Sequence, residues 1–340
     1  MNNSIIEAIK KCSDSLDSHL DIWIKPYKFN PDIDLKQNHF IIMMKPELND
    51  IKNGVDTKTI LDLFLEKLSK WDINIGAVRV LSSKYLKNNL LVEKNWHTLN
   101  IICKKGLDAC SEATMKGLSE KFPNIPLNKA NVLGGFEFLD NYPEFSSFAL
   151  DILTRNVETV KVGAGAYAIK IDINGHPKII LNAFHPYQYD WFTREGNSIV
   201  VFECITNKNL IEIRHDMIGL VCPKDAKIGS MKRFLFDEKE NVNLPNVSIL
   251  FNGFHVSPNP IEGMFSIIDF FSDIKAEKTI PLKETLLGNL LLKNNMKVSE
   301  IEKLRSNPTI NNANTIEKPI FELTEDKNWD DAIRMLAPSS

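Results

Sequence analysis

The stretch that decides the fold is VSILFNGFHVSPNPIEGMFSIIDFF, residues 247–271. It begins with a short apolar run, 247–251, which is typical of a buried strand, and it ends with apolar residues at helical spacing over 261–271. The polar corner between them contains Asn252 and His255. A strand that delivers these side chains to a helix N-terminus favours chemistry on a negatively charged group. Such a histidine could act as a nucleophile toward phosphate.

A purely structural interpretation of this corner is also open. His255 would then be a hydrogen-bonded histidine between a strand and a helix, and Asn259 would cap the helix. Two further stretches favour the functional interpretation. HFIIMMKPE, 39–47, predicts a strand that ends in Lys-Pro-Glu, and RHDMIGLVCPKDAKIGSMKRF, 214–234, predicts a helix end followed by a basic loop.

In chain order, 39–47, 214–234 and then 247–271, the three stretches resemble nucleoside diphosphate kinase. That family has a strand ending Lys-Pro-Asp, a helix running into Arg-x-x-x-Gly-x-x-x-Pro and Gly-Thr-Ile-Arg, and a last strand ending Asn-x-x-His-Gly-Ser-Asp. The resemblance covers about 38–81 and 184–271, well under half of the chain. It implies an α+β fold, namely a ferredoxin-like βαββαβ antiparallel sheet with helices on its faces. This arrangement also suits the predicted order of a strand, a helix and a second strand joined by short connections.

The apolar pattern predicts the elements of this sheet. Strands are expected at 40–44, 74–81, 198–204 and 246–251, and helices at 57–70, 207–218 and 260–271. The chain is expected to begin with an N-terminal extension, 1–38, and to end with C-terminal helices and a tail, 275–340. Between them lies a discontinuous kinase-like domain, 39–81 and 184–274, which an inserted α/β subdomain, 82–183, interrupts. Within the insertion, Asn174-Gly175 predicts a hairpin turn.

The resemblance implies a role for each matching residue. His255 would be the catalytic nucleophile, Asn252 would bond a ribose hydroxyl, and Ser257 would orient the phosphohistidine. The residues expected to bind nucleotide or phosphate are Lys45, Arg214, His215, Ser230, Lys232, Arg233, Asn252 and Ser257. Arg214 and His215 are alternatives for one family arginine, because the spacing from Arg214 to Gly219 is one residue too long.

Aromatic residues precede the third predicted strand. Tyr187, Trp191 and Phe192 are candidates for stacking on the nucleobase, and the alternative is that they pack the insertion against the core. The expected cofactors are ATP or another nucleoside triphosphate and Mg²⁺ bound through the nucleotide, with no metal ligands from the protein.

The sequence also departs from the family pattern. Val256 and Pro258 stand where the family has Gly and Asp, and Lys232 stands where it has Arg, which loses bidentate phosphate binding. The supporting carboxylate falls near Ser266, with Glu262 the closest acid. Three hypotheses remain open: a phosphotransferase that uses His255, an ATP-dependent enzyme that activates a small-molecule acceptor directly, and a non-catalytic nucleotide-binding module.

Composition narrows the possible partners. The 340 residues include 41 Lys and Arg against 44 Asp and Glu, so the net charge of −3 gives no reason to expect nucleic acid or an anionic membrane as a partner. Five dispersed cysteines show neither a CxxC pair nor zinc spacing. The expectation is a cytoplasmic protein without a signal peptide that binds a nucleotide and a small-molecule acceptor. The expected assembly is a homodimer.

Overall fold

The computed structural model describes residues 1–15, 19–30, 37–310 and 318–336. The chain divides into two compact units: unit 1 comprises Met1–Leu91 and Phe192–Ser340, and unit 2 comprises Val92–Trp191. Unit 2 therefore begins and ends later than the insertion predicted at 82–183. The predicted mixed α+β architecture is confirmed. Within the described residues, no helix is both long and apolar enough to cross a membrane.

The strands of the described residues are β1 (Asp21–Lys25), β2 (Asn38–Met44), β3 (Asn74–Ser82), β4 (Val132–Gly134), β5 (Thr159–Gly163), β6 (Ala166–Ile173), β7 (His176–Leu181), β8 (Ser198–Thr206), β9 (Phe254–Val256), β10 (Thr309–Ile310) and β11 (Lys318–Pro319).

The α-helices are α1 (Asn2–Asp14), α2 (Thr57–Lys70), α3 (Ser83–Asn88), α4 (Leu91–Asn95), α5 (His97–Lys105), α6 (Glu112–Lys121), α7 (Gly135–Asn141), α8 (Ser147–Asn156), α9 (His185–Thr193), α10 (Leu210–Glu212), α11 (Met231–Asp237), α12 (Pro260–Phe271), α13 (Leu286–Lys293), α14 (Val298–Lys303), α15 (Ile320–Leu323) and α16 (Trp329–Leu336). A π-helical turn spans Ile213–Ile218, and short 3-10 turns lie at Pro46–Leu48, Ile51–Asn53, Gly106–Ala109, Pro223–Asp225, Leu282–Glu284 and Leu304–Ser306.

The main sheet of unit 1 has the order β1-β3-β8-β2-β9, and every neighbouring pair is antiparallel. Because side chains alternate along a strand, the sheet has two distinct faces. The apolar face of β2, with Phe40 and Ile42, belongs to the core formed with α1, α2 and the π-helical turn. Helix α12 packs on β2, where Gly263 lies so close that an added Cβ would meet the His39 carbonyl oxygen at 3.0 Å.

The predicted strands near 40–44, 74–81 and 198–204 and the predicted helices near 57–70 and 260–271 are confirmed. Two of these helices begin at the caps that their sequences provide. Asp56 accepts a hydrogen bond from the Thr59 amide at 3.0 Å, and Asn259 accepts one from the Glu262 amide at 2.8 Å. The predicted Asn259 cap is therefore confirmed.

The strand predicted at 246–251 is wrong. Residues 247–251 are irregular, because the chain bonds to itself: the Ser248 amide donates to the Phe251 carbonyl at 3.1 Å. Gly253 then takes φ +78°, and only the three residues of β9 pair with β2. The prediction also lacked β1, which pairs with β3 as a fifth strand at the edge of the sheet. The helix predicted at 207–218 is α10 continued by the π-helical turn.

Unit 2 contains a four-stranded sheet of order β4-β7-β6-β5, in which β4 and β7 are parallel and the other pairs antiparallel. The predicted hairpin turn at Asn174-Gly175 is confirmed, with positive φ at both residues. Two apolar clusters pack with this sheet; one includes residues of α5 and α6, and the other includes residues of α7 and α8.

Candidate active site

The candidate site lies where β2, β9 and α12 meet in unit 1. His255 pairs with Met43 across the two antiparallel strands, and Lys45 directly follows β2. The Lys45 amide donates to the Gly253 carbonyl at 2.9 Å, which extends the pairing past the end of β9. The end of one strand and the start of the other therefore bring Lys45 and His255 to the same corner.

The Lys45 ammonium is almost fully buried and has partners within the protein. It donates to Asn252 Oδ1 at 3.1 Å and to the Leu250 carbonyl, and it lies 3.2 Å from Glu47 Oε1. Glu47 Oε1 also accepts from the Gly253 amide at 2.9 Å. An added Cβ at Gly253 would meet Leu235 Cδ1 at 2.3 Å, so the turn requires glycine. The Lys-Pro-Glu turn and the turn before β9 thus fix each other.

Asn252 uses its side-chain amide to join two loops. Nδ2 donates to the Val221 and Ile249 carbonyls, each at 3.0 Å, while Oδ1 accepts from Lys45. Both amide protons are therefore used within the protein. The arrangement positions the Lys45 ammonium, and the predicted bond from Asn252 to a ribose hydroxyl stays a prediction.

Lys232 lies in the first turn of α11 and is 7% exposed. Within the described parts of the chain, its ammonium makes no hydrogen bond and no ion pair. Burial lowers the pKa of Lys232 to about 7, and the positive charges of Lys45 and Arg214 act in the same direction, while the negative charge of Glu47 opposes the fall. A buried ammonium without an anion is costly, so this position favours binding of a negative group.

Arg214 is the third cation of this corner, and the π-helical turn places it there. The Gly219 amide donates to the Arg214 carbonyl at 3.0 Å, five residues back. A π turn accommodates one residue more than an α turn. Arg214 Nη1 donates to the Pro258 carbonyl at 3.3 Å. His215 is more exposed, and its Nε2 lies 3.1 Å from Asp326 Oδ2.

Electrostatics keep the His255 imidazole neutral. Burial lowers the pKa of His255 from its ordinary 6.5 to about 3. The charges of Lys232, Lys45 and Arg214 contribute to the same effect, in that order. At neutral pH the ring therefore keeps a nitrogen lone pair, which a nucleophile requires.

Glu262 is the nearest acid from α12. Asn259 Nδ2 donates to Glu262 Oε2 at 2.5 Å. Burial raises the pKa of the Glu262 carboxyl to about 7, while this hydrogen bond and the charge of Arg214 oppose the rise. The corner thus combines a neutral histidine, three basic side chains and a carboxyl that titrates near neutral pH.

Three of the predicted phosphate-binding residues are engaged elsewhere. Arg233 Nε donates to both carboxylate oxygens of Asp237 at 2.8 Å, one turn along α11. Ser230 caps α11 and accepts from the Arg233 amide at 3.3 Å. Ser257 is fully buried and accepts from the Ile41 amide at 3.1 Å. These contacts support the fold around the corner.

The aromatic candidates fall in different units. Tyr187 and Trp191 belong to unit 2, where the Tyr187 ring lies 5.2 Å from the Phe148 ring. Phe192 belongs to unit 1 and is buried. Their predicted stacking on a nucleobase stays a prediction.

The sequence motif included Glu47 as the end of the Lys-Pro-Glu turn but gave it no role in the site. Two further acids of the corner, Glu325 and Asp326, were missed altogether. They carried no sequence signal, since they lie more than a hundred residues from Arg214, which they contact. Only the folded chain brings them together.

No family model matches this chain, and no curated protein matches it. Among the residues that the structure describes, no group of three or more His, Cys, Asp or Glu side chains is arranged to hold a metal ion.

Proposed function

We propose that the protein is a phosphotransferase of the nucleoside diphosphate kinase type, which moves the γ-phosphate of a nucleoside triphosphate through His255. The observation that carries this proposal is Lys232, a largely buried lysine whose ammonium makes no ion pair within the described residues and lies beside Lys45, Arg214 and a neutral histidine. Phosphoryl transfer depends on positive charge around the transferred oxygens together with a positioned nucleophile. The corner supplies both.

The sheet order supports the proposal. Without the edge strand β1, the order is β3-β8-β2-β9, with α2 connecting β2 to β3 and the helical stretch 210–218 connecting β8 to β9. This order suits the ferredoxin-like split arrangement, in which two β-α-β units interleave in one antiparallel sheet. Neighbouring strands β2 and β9 then carry the lysine and the histidine to one corner.

The proposed reaction has two halves. A ring nitrogen of His255 attacks the γ-phosphorus, the bond from phosphorus to the β,γ-bridging oxygen breaks, and the nucleoside diphosphate leaves with that electron pair. In the second half an acceptor oxygen attacks the phosphohistidine, and the imidazole recovers its electron pair. Lys45, Lys232 and Arg214 neutralise the phosphoryl oxygens throughout. Mg²⁺ bound through the nucleotide would add positive charge at the phosphates.

Direct transfer from ATP to a small-molecule acceptor is the second candidate function. One observation favours it: both Asn252 amide protons bond carbonyls of the protein. Asn252 then has no amide proton left for the ribose hydroxyl that the phosphohistidine scheme assigns to it. The cations would hold ATP, and no covalent intermediate would form.

Incubation with γ-labelled ATP tests the proposal. We expect an acid-labile, base-stable label on the wild-type protein, as a phosphohistidine requires. His255→Ala should abolish the label and leave ATP affinity nearly intact, because Lys232 and Arg214 hold the phosphates. His176→Ala is the matched control and should keep the label, because His176 is an exposed residue at the start of β7 in unit 2.

The outcomes separate the candidates. Transfer at the normal rate by His255→Ala would refute the phosphohistidine and favour direct transfer. Loss of ATP binding together with a lower melting temperature would assign His255 a structural role.

A further inference from the structure

The C-terminal segment brings two carboxylates to Arg214. Asp326 Oδ1 pairs with Arg214 Nη1, and Glu325 Oε1 lies 3.5 Å from Nη2. The other oxygen of Asp326 lies 3.1 Å from His215 Nε2. One basic pair from the π-helical turn is thus matched by one acidic pair from a segment more than a hundred residues away.

The backbone around these acids is held firmly. The Asp326 amide donates to the Pro258 carbonyl at 3.0 Å, directly before the cap of α12. Two residues later, Asn328 Oδ1 accepts from Asn38 Nδ2 at 2.9 Å and from the Leu210 amide at 3.0 Å. The acidic side chains can therefore rotate away from Arg214 without undocking the segment.

We propose that Arg214 and His215 form a second anion subsite beside Lys232, which Asp326 and Glu325 fill in the free protein. A ligand with a chain of phosphates would reach this subsite by replacing the two carboxylates. The inference rests on the proposed function for the nature of this ligand. A single phosphate would bind near Lys232 alone and would leave the ion pairs in place.

The exchange is energetically accessible. The Arg214 and Asp326 side chains are 18% and 22% exposed, so water reaches the ion pair and can solvate the carboxylate that a phosphate displaces. Arginine has five N–H donors in a planar fork, which suits phosphate oxygens as well as carboxylates. A polyphosphate that also contacts Lys232 gains a buried ammonium that has no anion in the free protein.

Calorimetry with inorganic tripolyphosphate and orthophosphate tests this inference. The variant combines Asp326→Asn and Glu325→Gln, which keep oxygen acceptors for Arg214 but remove both charges. We expect it to bind tripolyphosphate about fivefold more tightly than the wild type, because no ion pair is lost on binding. Its affinity for orthophosphate should be unchanged.

Glu322→Gln is the matched control, since Glu322 lies in the same segment and pairs with Lys318 at 3.7 Å instead. It removes a charge from the same segment, so we expect wild-type affinity for both anions. Thermal melting checks that each variant is folded.

Several results would overturn the inference. One is unchanged or weaker tripolyphosphate binding by the folded double variant, and another is no tripolyphosphate binding by either protein. A third is an equal gain in orthophosphate affinity, which would indicate that the removed charges act on any anion. Failure of the proposed function is distinguishable. If the double variant binds tripolyphosphate more tightly but the wild type forms no phosphohistidine label, the subsite is retained and the proposed transfer is refuted. If the label forms but the double variant has unchanged tripolyphosphate affinity, the transfer is retained and the subsite is refuted.

Discussion

Two buried basic side chains of unit 1, Arg79 and Lys232, differ in their partners. The guanidinium of Arg79 uses all five of its N–H groups: Nε and Nη2 bond Asp21 at 2.6 and 2.7 Å, Nη2 also bonds the Tyr85 hydroxyl, and Nη1 bonds the Phe270 and Ser272 carbonyls. The Lys232 ammonium has no such bond within the described residues. A satisfied buried charge joins elements of a fold, whereas an unsatisfied one indicates a ligand.

Arg79 joins three parts of unit 1. Its own strand β3 pairs with β1, which carries Asp21, and the carbonyls that it bonds lie at the end of α12. The Trp23 ring lies 4.3 Å from the guanidinium carbon and covers it. The site is therefore a structural junction, and its charge is compensated before any ligand arrives.

The largest expected effect is at this junction. Arg79→Met should reduce the free energy of unfolding by about 3–5 kcal/mol, because it leaves the Asp21 carboxylate buried and unpaired. Urea denaturation followed by circular dichroism measures the change. Asp21→Asn is the companion variant, and a loss below about 1 kcal/mol for Arg79→Met would show that the junction does not hold the fold.

At the ligand site we expect a substitution to stabilise the protein. Lys232→Met should increase the free energy of unfolding at pH 7 by about 2 kcal/mol, because it removes a buried ammonium that lacks an anion. The pKa of Lys232 is about 7 in the folded protein and 10.5 ordinarily. Between pH 7 and pH 10.5 the unfolded chain binds more protons than the folded protein, so the free energy of unfolding of the wild type rises with pH. The difference between the wild type and Lys232→Met therefore decreases over this range.

Urea titrations at pH 7, 8.5 and 10 test this sign. Lys232→Arg is the control, since it retains the charge and should give no gain. A destabilised Lys232→Met at pH 7 would mean that the ammonium has a partner that stabilises the fold.

A smaller effect, measured per pH unit, is expected at His255 below pH 6.5. The pKa of His255 is about 3 in the folded protein, below its ordinary 6.5, so the unfolded chain binds the extra proton in this range. Wild-type stability should therefore fall as pH falls from 6.5 toward 3. His255→Gln should fall less steeply, by about 1 kcal/mol per pH unit in denaturation experiments. Equal slopes would place a charged imidazole in the folded state.

The smallest effect is expected next to Lys232. Arg233→Gln should leave both stability and ATP affinity unchanged within error, because Arg233 pairs with Asp237 on an exposed side of α11. The same two assays serve as the check. A clear loss of ATP affinity would transfer the phosphate-binding role from Lys232 to its neighbour.

Much of the fold could be predicted because its main elements carry strong local signals. β2 and β8 are nearly continuous apolar runs, and α12 has a cap, a proline and apolar spacing. β1 is a five-residue strand with a charged residue at each end, so its pattern was too weak. The run 247–251 had a strand-like composition, but its bonds to itself and the positive φ of Gly253 depend on context.

The site was predictable to the extent that strand ends carry it. Lys45 and His255 are placed by the ends of paired strands, which the sequence marks. The choice between Lys232 and Arg233 depends on which side of α11 is buried, and this follows from packing alone. The contact of Asp326 with Arg214 joins distant parts of the chain and leaves no local pattern.

The most direct test of the central claim is calorimetry of ATP binding at pH 8 in two buffers of different ionisation enthalpy. Lys232 is mostly neutral at this pH, and bound phosphates should raise its pKa, so we predict ATP binding with uptake of up to about one proton. Lys232→Met should bind ATP more weakly and without that uptake. Wild-type binding without proton uptake, or unchanged affinity and uptake in Lys232→Met, would contradict the claim that this corner is the phosphate site.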